Sequence, residues 1–139
     1  VERLVFRTGF YRNKAKHLVG MAQRVVETYA GDIPEAFDDL VSLPGVARKT
    51  ANVVIGEWYG RPNGVVVDTH VGRICRLLGL ADAKSPDKVA ETLEGILPRD
   101  HWIRFSLQLI DHGRAVCVAR RPECGACALA DLCPGAQDG

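Results

Sequence analysis

The chain has 139 residues, 47% of them hydrophobic and 25% charged, with a formal net charge of +1. That length suits one ordinary domain able to bury roughly two thirds of its unfolded surface. No apolar run approaches the roughly 20 residues that span a bilayer, and Arg3, Arg7, Arg12, Lys14 and Lys16 interrupt the first stretch where a signal-peptide core would lie, so an intracellular protein is expected.

A near-neutral total does not exclude a polyanion partner, because a nucleic-acid binder needs only a local basic face. From Glu27 to Asp39 the charges are all acidic (Glu27, Asp32, Glu35, Asp38, Asp39), whereas Arg48, Lys49, Arg73, Arg76, Arg114, Arg120 and Arg121 lie in or near the candidate motifs. This split suits one face turned to a polyanion; a solvated mixed surface is the plainer alternative. The chain starts at Val1 and its single methionine is Met21, so a fragment or a processed chain is expected.

In chain order, Leu18, Met21, Ala22, Val25, Val26 and Tyr29 fall at the three-and-four spacing of a buried helical stripe, with Asn13 as N-cap and Gly31 as stop. After Ile33-Pro34 a short helix is expected from Glu35 to Ser42, with Phe37, Leu40 and Val41 inward. A Pro44-Gly45 turn ends it. The following helix presents Ala51, Val54, Ile55 and Trp58. Gly60-Arg61-Pro62-Asn63-Gly64 is the strongest loop signal and the candidate boundary between lobes. Val65-Val66-Val67-Asp68 has strand propensity but no second β-rich run to pair with, which predicts buried extended chain. Further helices are read through Val71, Ile74, Cys75 and Leu78, closed by Gly79; from Ser85-Pro86 through Val89, Leu93, Ile96 and Leu97; and from an Asp100 cap through Trp102, Phe105, Leu109 and Ile110 towards Cys117. No repeat is present, and the fold class is all-α.

Two stretches carry chemistry. In Leu43-Pro44-Gly45-Val46-Ala47-Arg48-Lys49-Thr50-Ala51 a turn opens a helix, leaving backbone N–H groups that suit a phosphate oxygen with Lys49 beside it. In the tail, Cys117, Cys124, Cys127 and Cys133 follow the pattern Cys-x6-Cys-x2-Cys-x5-Cys. Four thiolates so close suit zinc or an iron–sulfur cluster. Disulfides are disfavoured in an intracellular chain. A four-thiolate zinc site usually pairs two short knuckles, and here only Cys124 and Cys127 form one, so the spacing leans towards a cluster. Cys75, on an apolar stripe, is read as a core residue.

With the hairpin Leu43 to Asn52, the run Val67-Asp68-Thr69-His70-Val71 and the four-cysteine tail in order, the chain closely resembles the endonuclease III family of DNA glycosylases, helix-hairpin-helix enzymes of base-excision repair. One departure is visible: the family hairpin usually reads Leu-Pro-Gly-Val-Gly, and Ala47 replaces the second glycine. A methyl group there would strain a positive φ by about 1 kcal/mol.

The resemblance implies a bilobal all-α fold. Residues 1–61 would form part of a helical-barrel lobe with the helix-hairpin-helix motif at about 35–59. Residues 62–139 would form a lobe carrying a [4Fe-4S] cluster loop at 117–133, held by Cys117, Cys124, Cys127 and Cys133. It implies a monomer, nucleoid-associated and away from membranes, acting on double-stranded DNA with damaged bases or abasic sites. Lys49 would be the nucleophile and Asp68 its partner. Leu43, Gly45, Ala47, Arg48, Thr50, His70, Arg120 and Arg121 would be DNA contacts. Family members normally begin with several more helices before the position of Val1.

The implied chemistry follows from two side chains. Breaking a glycosidic bond to an oxidised pyrimidine builds positive charge at C1′, which an Asp68 carboxylate stabilises, and the Lys49 amine can capture that carbon as a Schiff base. Ordinary lysine is almost wholly protonated at pH 7, so partial burial and neighbours such as Arg48 are expected to assist. β-Elimination of the 3′ phosphate would follow, making one site both glycosylase and lyase. Each residue also has a plainer role: Lys49 as a phosphate contact, Asp68 as an N-cap, His70 and His112 as structural hydrogen-bonders. The rival functions are a non-catalytic helix-hairpin-helix DNA-binding fragment and an adenine-type glycosylase relative, which usually lacks a lysine at this position.

Overall fold

The computed structural model describes residues 1–137, and all of their regular structure is helical, as the three-and-four spacing predicts. The chain divides into two compact units, Val1–Tyr59 and Gly60–Gly139.

The first unit holds α1 (Glu2–Val5), α2 (Tyr11–Tyr29), α3 (Phe37–Ser42) and α4 (Arg48–Val53), the last running on into a π-helical turn at Val54–Trp58. Its core is Val25, Leu40, Leu43, Ala51 and Ile55, with Met21, Tyr29, Phe37, Val41, Val46 and Val54 packed around them. Several expectations shift here. α2 is not capped by Asn13, which lies inside its first turn; the helix starts behind Phe10, held left-handed at φ 56°. It stops where Gly31 predicts, the Ala30 and Gly31 amides both closing on Val25 O. Leu18 and Val26 stay exposed, because no element of this unit covers that side of α2. α3 starts two residues later than expected, since Ala36 is extended at ψ 140°. Trp58 is 82% exposed instead of buried. The i→i+5 turn is wider than the α period assumes, so it carries residue 58 off the inward face.

The second unit holds α5 (Thr69–Leu77), α6 (Pro86–Ile96), α7 (Trp102–Ala115) and α8 (Pro134–Gln137), with 3-10 turns at Arg99–His101, Cys124–Ala126 and Ala130–Leu132. Val65, Val67, Val71, Ile74, Cys75, Ala81, Val89, Leu93 and Leu109 form its core. Burial of such side chains, each contributing about 1.5–3 kcal/mol, is what holds the short helices together. The valine run is buried, as read from the sequence, and has no regular secondary structure, with no strand among the described residues. Pro86 opens α6, though Ser85 makes no side-chain cap. Asp100 does not cap α7; it sits in the preceding 3-10 turn, with His101 Nε2 at 3.9 Å. Among the described residues no helix is long and apolar enough to cross a membrane.

Candidate functional site

In the first unit the hairpin runs from the end of α3 through Leu43 to Ala47. Leu43 is buried and its carbonyl accepts the Val46 N–H at 3.0 Å, closing the turn. Gly45 has φ +81°, and a Cβ there would lie 2.7 Å from the Cβ of His17. Both backbone and packing therefore require glycine at this position. Ala47 is the N-cap of α4 at φ −92° and ψ 169°, ordinary extended backbone. This overturns the strain expected from its methyl group: the left-handed residue of the turn is Gly45, not residue 47.

No side chain caps α4, so the first amides of that helix are left without the partner an N-cap would supply. Lys49 and Thr50 lie in its first turn, both exposed, while Ala51 and Asn52 behind them are buried and anchor the helix. The partial burial expected of Lys49 is therefore absent. The Arg48 guanidinium lies over the Phe37 ring, 5.3 Å from its centroid.

In the second unit Asp68 caps α5. Its Oδ1 accepts the backbone N–H of His70 at 2.8 Å and of Val71 at 2.9 Å, so the carboxylate is half-buried and fixed at a helix N-terminus. The plainer reading of Asp68 as a cap is thus met, and it leaves Oδ2 without a hydrogen bond among the described residues. The His70 ring packs against α7 at Gly113, where a Cβ would come within 2.7 Å of Nδ1. A glycine there is what lets the two helices approach.

Cys117, Cys124, Cys127 and Cys133 are half-buried, and no disulfide joins them. They line one cavity of about 70 Å³, shared with Ile74, Leu77 and Leu129. A single water needs roughly 10–15 Å³ on the same measure, so there is room for a group of several atoms. Among the described residues no three His, Cys, Asp or Glu side chains converge as ligands of one metal ion. Four thiols around one shared cavity with room for several atoms are a donor set that fits a polynuclear cluster. The sulfurs also receive N–H groups. Arg73 Nη1 lies 3.3 Å from Cys117 Sγ while Nη2 donates to the Cys117 carbonyl, Leu129 N–H lies 3.4 Å from Cys127 Sγ, and His112 Nε2 is 3.6 Å from that sulfur. The Arg73 and Leu129 donors stabilise thiolates that ligate iron, and His112 adds a third in the tautomer that carries its proton on Nε2.

Residues 1–99 match the family model for HhH-GPD superfamily base excision DNA repair proteins, and residues 117–133 match that for the iron–sulfur binding domain of endonuclease III. The chain belongs to the HhH-GPD superfamily of base excision DNA repair proteins. Endonuclease III of Synechocystis sp. is 49% identical over 137 residues, covering 99% of this chain and 63% of its own. A non-covalent endonuclease III–DNA complex superposes with a TM-score of 0.93 at 37% identity, covering 99% of this chain and 64% of the solved one. A trapped endonuclease III–DNA covalent intermediate matches with the same values. The chain thus spans just under two thirds of the length of these relatives. The cofactor is a [4Fe-4S] cluster.

His112, read from the sequence as a structural hydrogen-bonder, lines the cluster cavity beside Cys127 Sγ. Sequence reasoning missed two parts of this site. Arg73 belongs by sequence with the basic residues of a polyanion face, yet its guanidinium turns to Cys117. Gly113 makes room for His70. Each acts on a residue distant in sequence, and no local pattern signals that. Arg120 and Arg121 are exposed, in the turn closed by the Arg121 N–H on Val118 O. Cys75 is a core residue as read: burial pushes its thiol up to about 11, with Arg76 opposing the shift.

Proposed function

We propose that this chain is the catalytic part of a bifunctional DNA glycosylase and abasic-site lyase that removes oxidised pyrimidines from double-stranded DNA, acting as a monomer at the nucleoid. The observation that carries this reading is Lys49, exposed in the first turn of an uncapped helix directly after a helix-hairpin-helix turn. A similar solved structure, a trapped endonuclease III–DNA covalent intermediate, supports a reaction with a covalent step.

The hairpin amides, Gly45 and Ala47 foremost, take a phosphate oxygen, with Arg48 and Thr50 completing the contact. Leu43, expected from the sequence as a further contact, is instead a core residue whose amide donates to Leu40 O. Lys49 Nζ, as the free amine, attacks C1′ of the damaged nucleotide. The C1′–N bond breaks, its electron pair leaves with the base, and the base takes up a proton. Asp68 stabilises the positive charge that develops on the sugar, its Oδ1 tied to α5 and its other oxygen available. Loss of the ring-oxygen bond then gives an iminium between Nζ and C1′. Removal of a C2′ proton expels the 3′ phosphate, and water releases the lysine.

The four cysteines would hold the cluster, which when bound cross-links residues 117–133 into a rigid loop. That loop presents Arg120 and Arg121 to the phosphate backbone, and His70 contacts the strand from the first turn of α5.

Borohydride trapping on duplex DNA containing thymine glycol tests the reading. A covalent adduct is expected, and Lys49→Ala is expected to abolish it. An adduct unchanged by that substitution would overturn the role of Lys49, and DNA binding with no adduct at all would leave the non-catalytic DNA-binding reading in its place.

A further inference from the structure

Val65, Val66 and Val67 enter Asp68 as chain without regular secondary structure, at 3%, 6% and 9% exposure. No strand lies beside them among the described residues, so their buried amides need other partners. Two side chains supply these for Val65 and Val66. The Val65 N–H donates to Glu94 Oε1 of α6 at 2.9 Å, and the Val66 N–H donates to Ser106 Oγ of α7 at 3.1 Å. Ser106 is 2% exposed, and its hydroxyl donates to Trp102 O at 3.0 Å, which turns the oxygen's lone pairs towards Val66. A serine in the middle of a helix is neutral or unfavourable by propensity, so its place there is explained by this pair of bonds.

We propose that Ser106 and Glu94 are positioning residues for the reaction, holding the valine run in the register that brings the Asp68 carboxylate to the reacting sugar. This rests on the assignment of Asp68 above. Packing of Val65 and Val67 into the core decides which face is inward but resists sliding along the chain only weakly. The two amide bonds fix that remaining freedom, and they do so within three residues of the carboxylate. Misplacing a reacting group by about 1 Å can cost on the order of 100-fold in rate, so a small loosening here reaches the chemistry.

The test measures steady-state excision of thymine glycol by the cluster-loaded protein at its full natural length. Ser106→Ala and Glu94→Ala are each expected to lower kcat about tenfold or more while KM for DNA stays within about twofold, the pattern of a lost transition-state interaction. Glu94→Gln, whose amide oxygen still accepts from Val65, is expected to restore kcat. Should Ser106→Ala fail to fold, Glu94→Ala on half-buried α6 decides alone. Unchanged kcat in the alanine variants overturns the proposal. So does a loss shared equally by kcat and DNA affinity, or one that Glu94→Gln does not relieve. Asp68→Asn in the same assay separates the two claims: if it keeps full activity the role of Asp68 fails, whereas an inactive Asp68→Asn with unslowed alanine variants removes only the positioning claim.

Discussion

The two helices that carry the proposed chemistry begin in opposite ways. α4 starts at Ala47 with no side-chain cap, so its first amides point to whatever the surroundings bring. α5 starts at Asp68, whose own carboxylate takes two of its amides. The same N-terminal field is thus offered outward in one case and spent inward in the other. An open end suits an anion that comes and goes, such as a DNA phosphate. A capped end suits an anion that must stay in place, such as a carboxylate facing a developing cation. The surroundings agree with this division. Lys49 and Thr50 are exposed, whereas Asp68 follows a buried valine run and precedes the buried Val71.

Four substitutions sharpen the contrast, in falling order of effect. Asn is as good an N-cap as Asp, so Asp68→Asn keeps the α5 cap while removing its charge. Thermal melting is expected to stay close to that of the unaltered protein, and excision to fall about 100-fold or more, the scale on which lost electrostatic stabilisation is felt. Asp68→Ala adds a stability loss of about 1 kcal/mol from the missing cap. Equal loss of stability in both variants would mean that the charge, not the cap, holds the helix.

At the open end, Gly45→Ala forces a side chain into φ +81° and against His17. A destabilisation of about 1–3 kcal/mol is expected by thermal melting, with weaker DNA binding in titrations. Ala47→Gly, by contrast, is expected to change stability by no more than about 0.5 kcal/mol and DNA affinity by less than about twofold, because φ −92° suits any residue. A large gain on restoring this glycine would mean that the hairpin adopts another conformation on DNA.

The sequence made the helical class, the hairpin, the buried valine run and the cysteine tail legible, because each leaves a local mark: a period, a Pro-Gly pair, a β-branched run without a partner, a ligand spacing. It was silent where the cause is tertiary. Nothing near Trp58 signals a π turn, so a uniform period placed that ring inward and the structure places it out. The family pattern drew attention to residue 47, whereas backbone geometry puts the demand for glycine at residue 45. Arg73 is separated by 44 positions from Cys117, and Ser106 by 40 from Val66, so neither link has a signature in its own neighbourhood.

The central claim is that a nucleophilic amine at the open end of α4 does the chemistry. Peptide mapping by mass spectrometry of the borohydride-reduced adduct tests it directly. The account predicts one DNA-linked peptide, with the sugar carbon bonded to Lys49 Nζ. A linkage at Lys14 or at any other lysine, with Lys49 unmodified, would contradict it.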